Sequence, residues 1–403
     1  MRRLIHALLG ALSMFAAVAA SAQTDAAREI AELRAQVNSL LARLERLEGQ
    51  SATTVTPPAA APAPATAAAG WTETVRVAGD LRYRHETIND DIEAVRDRHR
   101  LRARVSVTAA IADNMTAGFG LSTGGFTNDS GNQTLDSGFS YKDIGVDLAY
   151  FDWAVTDDVN LIAGKMSNPF FRPGGYHLLY DGDLRPEGLA VRYGSGNLFG
   201  NAAAFWVEER GSSADSALLG VQGGYRGTLD NGVGFTAGAS YYETTHAQGR
   251  RPFFTVDDGQ GNQLDGAGNY LYGFSEIELF GELRFDLNGE PLTMFADYVV
   301  NQDADAFDEG YAIGVSYRRA ANPGDWSVGY AYQDFEANSV VGAFTDSDFA
   351  GGTSDGSGHS LLASYVFPGG WNFGLRWIIG DRGEAAGNPR DYNRLMADIS
   401  MRY

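Results

Sequence analysis

One rhythm runs without a break from Trp71 to Tyr403: segments of strand length, joined alternately by a tight turn and by a long polar connection. Sixteen such segments can be marked, at 72–86, 97–111, 114–124, 141–153, 158–167, 186–193, 198–208, 216–228, 232–243, 274–287, 290–302, 309–319, 325–335, 357–367, 370–380 and 391–403. The tight turns are "ADN" at 112–114, "TDD" at 156–158, "GSGN" at 194–197, "DNG" at 230–232, "NG" at 288–289, "NPG" at 322–324 and "PGG" at 368–370. In these hairpin chemistries Gly, Asn or Asp accepts a positive φ, or Pro pre-sets the turn. A soluble β-sandwich has no reason to segregate short and long loops so strictly. A closed up-and-down barrel in a membrane has one, because its two ends face different compartments.

The alternation within segments agrees. Trp371, Phe373, Leu375, Trp377 and Ile379 share one face, while Asn372, Gly374 and Arg376 share the other. Ile277, Leu279, Leu283 and Phe285 likewise oppose Glu276, Glu278, Glu282 and Asp286. About ten tilted residues cross the hydrocarbon layer, and closure satisfies every backbone donor and acceptor where water is absent. Beyond the first residues no run of roughly eighteen apolar residues occurs, which excludes a helical span. Tyr150 and Trp153, Tyr241 and Tyr242, Tyr330 and Tyr332, and Trp371 and Tyr403 cluster near segment ends, as interfacial girdles would. The fold expected is all-β: a sixteen-stranded antiparallel transmembrane barrel over 71–403, preceded by a short α-helical coiled coil.

Residues 1–22 read as a signal peptide. Arg2 and Arg3 precede an apolar stretch that ends in the small-residue site Ala20-Ser21-Ala22. The mature chain is therefore exported, to the outer membrane of a Gram-negative cell. In 23–50, Ile30, Leu33, Val37, Leu40, Leu44 and Leu47 form an a/d seam. A self-associating periplasmic coiled coil is expected, in preference to a lone helix lying on a domain surface. Residues 51–70, "SATTVTPPAAAPAPATAAAG", make an extended linker.

The net charge of −20 speaks against nucleic acid as a partner, although Arg98, Arg100, Arg102 and Arg104 fall at every second position. With Leu101, Ala103, Val105 and Val107 towards lipid, those arginines face the interior, joined by Arg76, Arg82 and Arg84 of the first strand. Seven guanidinia on adjacent wall positions require a wet lumen. They either pair with neighbours such as Asp80 and Glu86 to stiffen the wall, or form one side of a charged passage. Glu276, Glu278 and Glu282, with Asp143 and Asp147, are the expected opposite acidic wall.

The connection at about 168–188, "NPFFRPGGYHLLYDGDLRPEG", is too apolar for an external loop. Folding inward would bury Phe170, Phe171, Tyr176, Leu178, Leu179 and Tyr180 and carry Asp181, Asp183 and Glu187 towards the arginines. Packing on the barrel rim or on a neighbouring subunit is the alternative.

"VRVAGDLRYRHE", "RHRLRARV", "KDIGVDLAYFDW" and "GKMSNPFFRPGGYHLLYDGDLRPEGLAVRY" resemble a putative-porin family of proteobacterial outer-membrane proteins, similar to sixteen-stranded general porins. The resemblance implies a water-filled channel for passive diffusion of ions and small hydrophilic solutes. It also implies a third external loop folded into the lumen against an arginine ladder, and homotrimeric assembly. A different reading, in which a closed barrel is tethered to peptidoglycan through the coiled coil, rests on the segment 23–50. No catalytic motif stands out, so an enzyme is not expected. No cofactor or metal is expected either: there is no cysteine, the six His lack ligand spacing, and "DADAFDEG" at 303–310 reads as a solvated loop.

The a/d seam makes a direct prediction. A peptide of residues 25–50 should self-associate in sedimentation, and Leu40→Asp with Leu44→Asp should weaken that oligomer while leaving barrel insertion intact. A peptide that stays monomeric at high concentration contradicts it.

Overall fold

The computed structural model describes residues 74–91, 94–124, 127–254 and 258–403. The signal peptide, the coiled-coil helix 23–50 and the linker 51–70 lie outside the described residues. The strands are β1 (Val75–Asp90), β2 (Arg96–Ala112), β3 (Met115–Thr123), β4 (Gln133–Thr134), β5 (Ile144–Thr156), β6 (Val159–Lys165), β7 (Glu187–Ser195), β8 (Leu198–Glu208) and β9 (Ser216–Thr228). They continue as β10 (Gly234–Thr244), β11 (Phe274–Leu287), β12 (Glu290–Asn301), β13 (Glu309–Tyr317), β14 (Trp326–Phe335), β15 (Gly356–Val366), β16 (Trp371–Arg382) and β17 (Arg390–Arg402).

Apart from the two-residue β4, which pairs with β2 at Arg100 and Leu101, these are sixteen long strands, each antiparallel to its neighbours in sequence. β1 closes the sheet by pairing Asp80–Asp90 with Tyr392–Arg402 of β17. The product is a closed all-β barrel. Turn chemistry sets the local register: Asn288 and Gly289 both take positive φ (59° and 81°), which the two-residue link from β11 to β12 demands.

The side chains are arranged inside out relative to a soluble protein. On β11, Ile277, Leu279 and Leu283 are 37%, 55% and 40% exposed, while Glu276, Glu278 and Glu282 are buried within. The outer face of β16 presents Trp371, Phe373, Leu375, Trp377 and Ile379 in the same way. An apolar exterior around a polar interior is stable only where hydrocarbon replaces water. The girdle expectation needs one correction. Tyr242 points inward and is buried, and Tyr150 packs against the same interior cluster, because each falls on the lumenal half of its strand's alternation.

Two long connections occupy the interior: L3 (residues 166–186) and L7 (residues 336–355). L3 packs against inward-facing side chains of β8–β12. The Phe170 ring lies 4.9 Å from Tyr242 and 6.1 Å from Phe205, and Tyr176 lies 5.2 Å from Phe295. The Phe171 N–H donates to Gln222 Oε1 (2.6 Å), whose Nε2 donates back to the Phe171 carbonyl (3.0 Å). L7 is still more enclosed, with Ala337, Ser339, Val340, Ala343, Thr345 and Phe349 all at most 1% exposed.

A bare spot on the wall seats L3. A Cβ at Gly220 would come within 2.5 Å of Phe170 Cζ and 2.8 Å of Tyr242 Cδ1, so any side chain there displaces the loop. Gly220→Leu should therefore lower the temperature at which the folded band on gels converts to the unfolded one. The expected cost is about 1–3 kcal/mol of overpacking. Gly223→Ala, whose added Cβ meets nothing within 4 Å, should leave that temperature unchanged.

Candidate functional site

The register of β1 on β2 decides what the arginines need. Asp80 lies opposite Arg104 and Glu86 opposite Arg98, but between them Arg82 lies opposite Arg102 and Arg84 opposite Arg100. Like charges directly across a strand pair repel, and on a partly dewatered wall they must find carboxylates elsewhere. Three elements supply them.

L3 supplies Asp183. Its carboxylate accepts from Arg102 Nη1 and Arg104 Nη1, each at 2.9 Å, while Arg102 and Arg104 also hold Asp80 at 2.9 and 2.6 Å. Burial alone would raise the Asp183 pKa, but Arg102, Arg104, Arg82 and Arg185 outweigh it and hold the group below its ordinary range. β17 supplies Asp398, 2.7 Å from Arg84 Nε. L7 supplies Asp346 and Asp348. Asp348 pairs with Arg84 (2.9 Å) and Arg394 (2.8 Å), and Asp346 with Arg376 (2.7 Å). Burial pushes Asp348 up, yet Arg84, Arg394 and Arg376 hold it well below the carboxylate range.

L3 and L7 also join each other. The Asp181 N–H donates to the Phe344 carbonyl (2.7 Å), the Ser347 N–H to Asp181 Oδ2 (2.8 Å), and Thr345 Oγ1 to the Leu178 carbonyl (2.7 Å). Neighbouring loops brace the junction: Asn128 Nδ2 donates to the Ala343 carbonyl and Asn262 Nδ2 to the Ala337 carbonyl.

Several expected site residues stand elsewhere. Asp181 does not face the arginine wall; it is buried at the L3–L7 junction, because the chain turns between it and Asp183. Glu187 opens β7 and pairs with Lys165 at 2.7 Å across the β6–β7 ladder. Arg98 and Arg100 turn to Glu86 Oε1, at 2.7 and 3.6 Å, and not to L3. Arg82 donates to Asn132 Oδ1 at 2.7 Å, and Arg76 is exposed near the start of β1. Glu276, Glu278 and Glu282 point inward but form no wet opposite wall, since they are only 2%, 3% and 4% exposed. L3 covers them: the Gly174 N–H donates to Glu282 Oε2 at 2.7 Å, and Glu278 accepts from Ser240 and from Tyr242. Asp143 is exposed just before β5, and Asp147 pairs with Arg185 of L3 at 3.3 Å.

Sequence reasoning missed Asp346, Asp348, Arg376, Arg394 and the whole of L7. The signal was present, for "SVVGAF" at 339–344 is as misplaced in an external loop as the aromatics of L3.

A lumen lined by opposed charges, within a closed barrel that wears its apolar residues outside, defines an outer-membrane pore-forming barrel. The chain belongs to the putative-porin family, whose profile matches residues 87–265 and 275–403. Among solved structures it is similar to the high-pH structure of Pseudomonas putida OprB, at 11% identity, covering 82% of this chain and 95% of that one, with a TM-score of 0.56. Salmonella typhi OmpF, solved as a complex with daunomycin, matches at 14% identity over 82% and 97% of the two chains, with a TM-score of 0.49. A triple mutant of the Rhodopseudomonas blastica porin matches at 10% identity over 82% and 100%, with a TM-score of 0.48. The first of these likenesses bears on the fold alone. No curated protein matches the chain. Family and fold point to a channel and not to an enzyme, and to the outer membrane.

The L3–L7 junction should respond to pH. Burial and then Asp346 push the Asp181 carboxyl up to about 8. The folded chain thus holds that proton more tightly than the unfolded chain, so the junction is favoured at low pH and weakens as pH rises through about 8. Asp183, Asp346 and Asp348, all held low, are already ionised in that window. The conversion temperature of the folded band should fall as pH rises from about 6 to about 8 in the native chain and level off above that. In Asp181→Asn the curve should be flatter, though lower at acid pH, and parallel curves would refute the assignment.

Proposed function

We propose that this protein is a porin through which ions and small hydrophilic solutes diffuse passively. The passage is narrowed where Asp183 of L3 meets Arg102 and Arg104. The observation that supports this most is that single contact: a loop leaving the wall between β6 and β7 places a carboxylate 2.9 Å from each of two guanidinia on β2. Arg104 and Asp183 retain 22% and 21% side-chain exposure, so the charged pair is wetted. A cavity of about 540 Å³ adjoins it, lined by Ser122, Thr123, Asp147, Asp183 and Arg185 among others. Arg82 and Arg84 extend the basic wall, in which Asp80 and Asp398 are interleaved as counter-charges. Homotrimeric assembly is part of this reading by resemblance to porins; the coiled coil expected over residues 23–50, which general porins lack, is read as lying on the periplasmic side.

Low-dielectric walls strengthen the Coulomb interaction in such a passage above its bulk value. In planar bilayers the refolded protein should conduct KCl. Arg102→Gln with Arg104→Gln should shift the zero-current potential in a salt gradient towards cation preference, most clearly at low salt, where screening is weak. Leu101→Ala and Val105→Ala, on the outer face of the same strand, should leave the potential unmoved. A barrel that inserts without conducting would end the channel reading.

A further inference from the structure

A second cavity, of about 310 Å³, lies apart from the Asp183 contact, among the upper parts of β2, β16 and β17 and the loop L7. Its charged lining is strongly one-sided. Arg96, Arg98, Arg100, Arg382 and Arg394 border it, against Asp90 and Asp129.

The ion pairs behind this lining do not restore balance. One carboxylate, Glu86, serves three guanidinia: Oε1 takes Arg98 at 2.7 Å and Arg100 at 3.6 Å, and Oε2 takes Arg394 at 2.5 Å. One carboxylate, Asp90, serves two, Arg382 and Arg390. Asp348, which also reaches Arg394, is already engaged by Arg84. Asp129 is the remaining acid in the lining, and burial followed by the nearby Asp348 and Asp183 pushes it up to about 6, which trims its charge near neutrality.

Arg100 is the least satisfied of the set. Its contact with Glu86 is long, its Nη2 reaches the Asn132 carbonyl only at 3.3 Å, and its Nε is buried without a hydrogen-bond acceptor among the described residues. Adjacent inward guanidinia with one shared counter-charge, bordering open volume, raise the local positive potential. Forked N–H donors match the oxygens of carboxylate or phosphate.

We infer that this cavity is a binding site for a small oxyanion carrying two or more negative charges, held by Arg98 and Arg100 with Arg96 at its mouth. It would act as a loading station for multiply charged anions, which makes them preferred solutes. This role rests on the channel reading, whereas the binding itself does not.

The test uses two probes, citrate and pyrophosphate, added to the refolded full-length protein conducting KCl in a planar bilayer. Both should interrupt the current in a concentration-dependent way, while glucose at the same concentration should not. A block by citrate alone assigns the site to carboxylates, and one by pyrophosphate alone to phosphates. Arg98→Gln with Arg100→Gln should weaken the block at least tenfold, and Arg192→Gln, elsewhere on the inner wall, should not change it. Should the double variant fail to fold, Arg96→Gln at the exposed mouth should still weaken the block several-fold. A channel that conducts KCl without block by either anion overturns the site. If no current is seen, the channel reading falls, and calorimetric titration of the detergent-solubilised protein with both probes decides the site: heat lost in the Arg98→Gln, Arg100→Gln variant supports it, and absence of saturable binding overturns it.

Discussion

Everything in this molecule depends on the closure of β1 against β17. In hydrocarbon an unpaired backbone N–H or C=O costs several kcal/mol, so an open sheet edge is not tolerated. Pairing Asp80–Asp90 with Tyr392–Arg402 removes the edge. Closure also divides space: lipid takes one side of every strand, so the polar half of each alternation must point inward. The exposure of Leu279 and Trp377 and the burial of Glu278 and Arg394 are two results of that one constraint.

Once polar side chains are confined, their charges must be balanced across the lumen and not by bulk water. The β1–β2 register creates the strongest demand, setting Arg82 against Arg102 and Arg84 against Arg100. Acids from the same strands, Asp80 and Glu86, serve Arg104 with Arg102 and Arg98 with Arg100, but neither is paired with Arg82 or Arg84. The deficit is met by Asp398 from β17, Asp183 from L3 and Asp348 from L7. The inward loops thus have an electrostatic reason as well as an apolar one. Phe170 and Leu178 of L3 leave water, while its Asp183 and the Asp348 of L7 neutralise a wall that would otherwise repel itself. Removing one partner of such a buried pair is costlier than the pair is stabilising, since the other charge is stranded.

The same arithmetic separates the two sides of the lumen. Acids of β11 are sealed beneath L3 by hydrogen bonds from Gly174, Ser240 and Tyr242. What keeps contact with water is the place where Arg104 meets Asp183 of L3, each with about a fifth of its side chain exposed, while Arg84 and Arg394 are buried.

The strands were legible in the sequence because alternation and turn chemistry are local: the segments 198–208, 216–228 and 274–287 coincide with β8, β9 and β11, while 72–86 and 141–153 are offset by a few residues from β1 and β5. L3 announced itself by aromatics that no external loop would keep. L7 carried a comparable signal in Val340, Val341 and Phe344, but small residues make a weaker mark than a run of rings. The sequence by itself determined strand number, the lumenal face and the excess of arginine on β1 and β2. Only the tertiary structure decided which carboxylate meets which guanidinium. Asp181 and Asp183 are two residues apart, yet one faces L7 and the other Arg102 and Arg104. The partners lie hundreds of residues apart in the chain, on strands that meet only at closure, as with Glu86 and Arg394, or on a strand and a loop, as with Arg84 and Asp348, and no local pattern encodes where a loop comes to rest once the barrel has closed around it.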